Sequence, residues 1–191
     1  MSALGPDGKR RCAWSLSAPD FLAYHDEEWG FPVGDDTRLF EKLSLEAFQS
    51  GLSWRTILAK RESFRAAFRG FDFVAVAKFT ARDVERLLRD EGIVRHRGKI
   101  EAVVRNAKAA RAIVAEDGSF GALVWRYEGD ARRRAASPSP EAIALAKELK
   151  RRGFGFVGPT TVYAFMQAKG LVNDHEEDCF VRARGARARR S

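Results

Sequence analysis

Two cysteines and two of the three histidines lie near the ends of this 191-residue chain: Cys12 and His25 are thirteen residues apart, and His175 and Cys179 are four apart. Thiolates and imidazoles are zinc's preferred donors, and four of them close a tetrahedral sphere with no position left for substrate. A structural zinc ion on Cys12, His25, His175 and Cys179, one per chain, would tie the N- and C-terminal regions together. An i,i+4 pair such as His175 and Cys179 shares one helical face, although such pairs also occur with no metal between them. Two cysteines are too few for a secreted disulfide framework.

A second chemical feature is one carboxylate. In a helix expected over 37–50, Glu46 falls seven residues after Leu39, three after Leu43 and four before Ser50, on the inward side. A buried carboxylate needs a partner, so Glu46 either faces a ligand or reaches the margin of the stripe, to solvent or an arginine. Trp14, Tyr24 and Trp54 read by themselves as core aromatics. A third feature is the run Gly153-Phe-Gly-Phe-Val-Gly-Pro-Thr160, with Pro159 suited to the first position of a helix. Amides at such a helix entrance can hold a phosphate oxygen without reading a base. A purely structural αα-hairpin would use the same residues.

The elements that must carry these groups are helical. Periodicity of three and four runs through almost the whole chain with no sustained alternation, which predicts an all-α fold. Asp36 is a candidate N-cap for the helix bearing Leu39, Phe40, Leu43 and Ala47, and Gly51 its stop. Ser53 caps a segment with Trp54, Ile57 and Leu58, and a short piece with Phe64 and Phe68 follows. Thr80-Ala-Arg-Asp83 is a capping sequence before Val84 and Leu87, closed by Gly92. The longest helix is expected over 97–116, a short one over 119–125, and Ser139-Pro140 opens a helix ending at Gly153. Residues 130–137, with three arginines, form the expected exposed loop. No linker divides the chain. The expected organisation is a flexible N-terminus over 1–11, one helical domain over 12–180 and a basic disordered tail over 181–191.

Thirty-four Lys and Arg against 26 Asp and Glu give a net charge of +8. That permits a polyanionic partner without proving one. The longest apolar runs are far short of the roughly 20 residues that cross a bilayer. The N-terminal segment lacks the apolar core of a signal peptide, so a cytoplasmic, membrane-free protein is expected.

Several blocks together carry a family resemblance. Cys12-Ala-Trp14, Tyr24-His-Asp-Glu-Glu-Trp-Gly30, Leu45-Glu46, Gln49-Ser-Gly-Leu-Ser-Trp54, Gly92-Ile-Val-Arg-His-Arg-Gly-Lys-Ile100 and Leu171-Val-Asn-Asp-His175 are similar, in order and spacing, to the constitutive bacterial 3-methyladenine DNA glycosylases. Phe156-Val-Gly-Pro-Thr-Thr-Val162 resembles the DNA-gripping turn of the wider helix-hairpin-helix glycosylase superfamily. The resemblance implies a helix-hairpin-helix glycosylase over about residues 12–179, with Cys12, His25, His175 and Cys179 as its zinc ligands. It implies that Glu46 is the catalytic, base-recognising acid in a substrate pocket with Trp14, Phe21, Tyr24 and Trp54. Gly155, Val157, Gly158 and Thr160 would contact the DNA backbone. Gly51 and Leu52 would enter the gap beside a flipped base, or simply break a helix. His96 matches no ligand and reads as a surface or packing residue.

An adenine alkylated at a ring nitrogen is cationic while attached to sugar. Aromatic faces would then add about 0.5–2 kcal/mol of cation–π attraction, and Glu46 a charge-assisted hydrogen bond of about 1.5–3 kcal/mol. The charge also weakens the glycosidic bond, so selection and base flipping can suffice. Asn173 stands where the superfamily has its catalytic aspartate, and Thr160 where bifunctional relatives have a lysine. The implied activity is therefore hydrolysis of the N-glycosidic bond by water, leaving an abasic site without strand cleavage. Phe21 in place of a tyrosine, and Phe48 in place of a glutamine, leave the preference among alkylated bases open. The implied partner is double-stranded DNA containing alkylated bases, bound by a monomer at the bacterial nucleoid. The alternatives are a non-catalytic zinc-stabilised DNA-binding protein and a structural zinc domain of a complex.

Overall fold

The computed structural model describes residues 1–129 and 138–189. The helical periodicity resolves there into α1 (Pro19–Glu27), α2 (Asp36–Gln49), α3 (Trp54–Ala59), α4 (Arg61–Ala67), α5 (Phe73–Val76), α6 (Ala81–Leu88), α7 (Arg97–Asp117), α8 (Phe120–Val124), α9 (Pro140–Arg151), α10 (Pro159–Ala168) and α11 (Arg182–Ala188). The expected arginine loop at 130–137 lies outside the described residues.

Local chemistry sets most helix starts. Ser53, Ser119 and Ser139 each accept a hydrogen bond from the amide three residues on, and Thr80 with Asp83 closes a capping box. Each such cap is worth about 1 kcal/mol. At α2 the expectation is off by one. Asp35 is the cap, accepting from the Arg38 amide, while Asp36 reaches across the fold to the amides of Phe120 and Gly121 at 2.9 and 2.8 Å. One aspartate thus starts α2, and its neighbour holds the N-terminus of α8 against it.

Helix α2 is the central element. It packs on α10, α7, α8 and α3 and contributes Leu39, Phe40, Leu43 and Phe48, all essentially without exposure, to the main core. Phe48 sits 4.6 Å from Phe64 and 5.8 Å from Phe68, ring centre to ring centre. Fully burying one such ring contributes about 1.5–3 kcal/mol. Helices α9 and α10 form a close hairpin, with α10 against α2.

Both chain ends differ from the expectation. Residues 1–11 are not a free N-terminus. The strands β1 (Ser2–Leu4) and β2 (Arg10–Cys12) pair antiparallel, Ser2 opposite Cys12. The hairpin docks on the C-terminal segment: the Met1 ammonium reaches Glu176, Ser2 Oγ donates to Asp178 at 2.6 Å, and the Phe180 amide donates to Arg10 O at 3.0 Å. The tail is likewise helical over α11. Val181 is fully buried, and Gly185 lies so close to the Gly30 carbonyl that a Cβ there would stand 3.0 Å from it. Arg189 pairs with Glu128 at 2.6 Å. These docking contacts join residues from 61 to 176 positions apart, so local composition carries no trace of them.

Candidate active site and metal cluster

Cys12 ends β2, His25 lies on α1, and His175 and Cys179 lie in the segment between α10 and α11. His175 and Cys179 do not share a helix: that segment is turns and bends, and a turn aims both side chains inward instead. All four residues are buried, with one ligand atom from each lying within 4.8 Å of every other, so the group could hold a metal ion. A tetrahedral ion with metal–sulfur bonds of about 2.3 Å and metal–nitrogen bonds of about 2.0 Å has sulfur–nitrogen edges of roughly 3.5 Å. Cys179 Sγ is 3.5 Å from His25 Nε2 and 3.7 Å from His175 Nδ1, and Cys12 Sγ is 3.7 Å from His175 Nδ1. The donor set and its edges fit such an ion.

The surroundings orient the ligands as a metal requires. His25 Nδ1–H donates to Asp26 Oδ1 at 2.8 Å, leaving Nε2 free to ligate. His175 Nε2–H donates to the Trp29 carbonyl at 3.2 Å, leaving Nδ1. Asp26 is anchored by Arg11 at 2.8 Å. Burial opposes its charge, but Arg11 and His25 hold the carboxyl below the ordinary aspartate range. Gly30, at φ +84°, allows His175 to approach, since a Cβ there would fall 2.5 Å from its Nε2. Asp26, Trp29 and Gly30 stand in the sequence block that contains His25, and their roles become visible only through His175.

Against this cluster lies a pocket of about 340 Å³, lined by Trp14, Tyr24, Trp29, Glu46 and Trp54 with Gln49, Gln167 and Asp174. Trp14 packs edge-on to His25 at 5.4 Å and to Trp29 at 5.2 Å. Trp29 packs edge-on to His175 at 4.7 Å. The indoles are thus shared between pocket wall and metal cluster. Tyr24 and Trp54 continue the wall, 5.4 Å apart. The Trp54 Nε1 atom is buried without a partner among the described residues.

Glu46 is 6% exposed, and its partner is a lysine rather than solvent or an arginine. Lys42 Nζ lies 2.7 Å from Glu46 Oε1, donates to the Tyr24 hydroxyl at 2.7 Å and stands 3.3 Å from the centre of the Trp54 ring. Burial pushes the Lys42 pKa down, with Glu46 opposing. Burial, then the Glu46 charge, pushes that of Tyr24 up. Behind the pocket is a cavity of about 30 Å³ that Tyr24, Lys42, Trp54 and Lys169 share with Glu28 and Arg61. Burial and then the Lys42 charge bring Lys169 down to about 8.

Of the aromatics expected in the pocket, Trp14, Tyr24 and Trp54 line it and Phe21 does not. Phe21 is buried 5.7 Å edge-on behind Trp14 and supports that ring. Phe48 points away into the core, so the two departures noted in the sequence do not reach the pocket surface. Asn173 is buried too. Its side chain donates to Arg182 O and accepts from the His175 amide, which turns it into a cap of the C-terminal turn. Its neighbour Asp174 lines the pocket, with Oδ2 held by Tyr163 and by Gln167 at 2.8 Å and Oδ1 buried without a partner among the described residues.

Beside the pocket a second depression brings together Glu46, Gly51, Leu52, Thr160 and Thr161. The loop after α2 and the entrance of α10 therefore meet at the pocket mouth. Gly51 has φ +80°, Leu52 is 42% exposed, and Lys99 fixes the loop from beneath by donating to Phe48 O and Ser50 O at 2.9 and 2.6 Å. At the α9–α10 turn the expected contacts divide. The Gly155 amide is already engaged by Asn106 Oδ1 at 2.8 Å, and Asn106 Nδ2 donates back to Gly155 O. Gly155 is thereby a structural clamp on α7, not a free donor. Val157 has a buried side chain and offers only its backbone. Gly158 is the N-cap of α10, Pro159 follows, and Thr160 is exposed at the helix entrance. His96 is exposed, as expected of a surface residue, and its ring caps α7 by accepting from the Lys99 amide at 3.2 Å.

The methyladenine glycosylase family model matches residues 14–183. DNA-3-methyladenine glycosylase 1 of Escherichia coli is 46% identical over 177 residues, covering 88% of this chain and 95% of that protein. A crystal structure of 3-methyladenine DNA glycosylase I superposes with a TM-score of 0.85 at 48% identity, covering 89% of this chain and 98% of that one. The Staphylococcus aureus enzyme, whose structure concerns 3-methyladenine recognition, superposes with a TM-score of 0.83 at 39% identity, covering 90% and 95% of the two chains. No helix among the described residues is long and apolar enough to cross a membrane.

Proposed function

The chain belongs to the methyladenine glycosylase family, and from that premise we infer how its residues carry the reaction. It is a base excision repair glycosylase, a hydrolase that releases 3-methyladenine from DNA. The observation that carries the residue assignment is the pocket itself: one buried carboxylate, Glu46, in a wall of Trp14, Tyr24, Trp29 and Trp54. Aromatic faces and a carboxylate suit a flat cationic base, and neither a phosphate grip nor a metal site needs them.

Glu46 recognises the base, which stacks within the aromatic wall after the nucleotide has left the duplex. Leu52 at the pocket mouth fills the space that the base vacates. The entrance of α10, with Gly158, Thr160 and the backbone of Val157, takes a phosphate at the positive end of the helix. The bond breaks with its electron pair on the base, whose cationic ring makes it a good leaving group, and water adds to the sugar. Asn173 is turned away from the pocket, and its neighbour Asp174 lines it. Cys12, His25, His175 and Cys179 would hold zinc with all four positions filled by protein, so the ion would serve structure alone. The working unit is a monomer on duplex DNA in the bacterial cytoplasm.

The experiment is incubation with a methylated duplex, chromatography of the released base, and borohydride treatment of a labelled strand. Free 3-methyladenine with an intact strand, cleaved only after alkali, is expected. A borohydride-trapped complex, or scission keeping pace with base release, would show an amine nucleophile and overturn the hydrolytic assignment.

A further inference from the structure

Lys42 lies one turn before Glu46 on α2 and is 4% exposed. The reaction outlined above does not use it. Its ammonium is nevertheless shared among three groups of the base pocket: the Glu46 carboxylate at 2.7 Å, the Tyr24 hydroxyl at 2.7 Å and the face of Trp54 at 3.3 Å from the ring centre. Lys42 lines the small cavity behind the pocket and not the pocket itself. It is therefore a fixed internal cation in the rear wall of a site that receives a cationic ligand.

Resting on the reading that this pocket holds the alkylated base, we propose that Lys42 is a specificity determinant that shifts the pocket's preference from the cationic base toward the same base once it has lost its charge. It does so by neutralising Glu46, by occupying the rear face of Trp54 and by direct repulsion through a poorly solvated wall. An indole with an ammonium on one face attracts a second cation less on the other, and charges this close inside a protein are only weakly screened. A neutral base feels none of these charge–charge effects.

The direction is useful for the chemistry. As the C1′–N bond breaks, its electron pair stays with the base, which becomes neutral. The sugar becomes the cation that water captures, releasing a proton. A wall carrying an unopposed Glu46 would hold the charged nucleotide most tightly, stabilising the ground state. Lys42 removes that preference, so that binding improves as the base loses its charge, which is the differential binding that raises the rate.

The test is affinity at neutral pH for two probes: 3-methyladenine, and 3,9-dimethyladeninium as a permanent cation with a methyl in place of the sugar. They are titrated against the full-length protein and its Lys42→Gln, Lys42→Met and Glu46→Gln variants, each checked by melting. Lys42→Gln keeps a hydrogen-bond donor against Glu46 and so protects the fold if Lys42→Met loses it. The affinity for the cation relative to 3-methyladenine should rise on the order of tenfold when the lysine charge is removed. A merely structural lysine would weaken both probes alike and leave their ratio unchanged, and that result overturns the proposal. If Glu46→Gln leaves both affinities unaltered, the base-pocket reading itself fails. If Glu46→Gln weakens the cation while the Lys42 variants leave the ratio constant, only the role of Lys42 fails.

Discussion

The Cys2His2 cluster and the Glu46 pocket stand back to back, with Trp14 and Trp29 between them, and they treat buried polar atoms in opposite ways. In the cluster every ligand atom points at the other three, and the outer ring nitrogens are spent on Asp26 and the Trp29 carbonyl. In the pocket, Glu46 and the aromatic faces border an open volume of about 340 Å³, and among the described residues the charge paired with Glu46 is that of Lys42, from behind. The first arrangement spends its polar chemistry on holding the two chain ends together. The second keeps its polar chemistry available to a ligand while Lys42 limits the cost of burying a carboxylate.

The largest effect that tests this contrast is loss of a ligand. Cys179→Ser or His175→Ala should abolish one equivalent of zinc by elemental analysis and lower Tm by about 10 °C or more, because metal binding is folding free energy. Chelated protein that melts as before would erase the distinction between the two regions. Next in size is Glu46→Gln. Excision in single turnover should drop by roughly 30- to 100-fold, about 2–3 kcal/mol, with affinity for an abasic duplex nearly unchanged. If both readouts fall together, Glu46 belongs to the framework and the pocket is no more available than the cluster.

Deleting residues 181–191 removes α11 and the buried Val181 that packs beside Cys12 and Cys179. A fall in Tm of roughly 5–10 °C is expected, extending the structural region beyond its four ligands. An unchanged melt with a shallower salt dependence of DNA affinity would instead make the tail a DNA-binding arm.

The smallest expected effect concerns Lys169, in the cavity behind the pocket, which has no carboxylate within ion-pair distance among the described residues. Its pKa falls from 10.5 to about 8 on folding, first by burial and then by Lys42. Between those values the unfolded chain binds more protons, so this lysine's penalty is full below pH 8 and fades as pH rises toward 10.5. Lys169→Met should therefore stabilise the protein near pH 7, by roughly 1–3 kcal/mol, with a gain that shrinks from pH 8 upward. A gain independent of pH would mean that packing, not charge, drives it.

The sequence alone determined the local part of this molecule. Helix starts at Ser53, Thr80, Ser119 and Ser139 follow from side chains that bond amides three residues away, and the apolar spacing on α2 placed Glu46 inward because helical geometry repeats within a few residues. The family blocks contain the residues of the buried Cys2His2 group that could hold a metal ion, Cys179 apart, and much of the pocket wall. What only the tertiary structure decided involves groups far apart in the chain. Asp36 holds the first amides of α8, Asn106 takes the Gly155 amide, Asn173 turns from the pocket that Asp174 lines, and the N-terminal hairpin docks on the C-terminal segment. Phe21 and Phe48 look like pocket changes in sequence yet face Trp14 and the phenylalanine core, since a position fixes a residue's element but not what packs against it. Lys42 is the clearest case. Its spacing from Glu46 is an ordinary i,i+4 salt bridge of a solvated helix, worth a few tenths of a kcal/mol. Burial of α2 beneath Tyr24 and Trp54 is what converts that pair into part of the pocket's electrostatics.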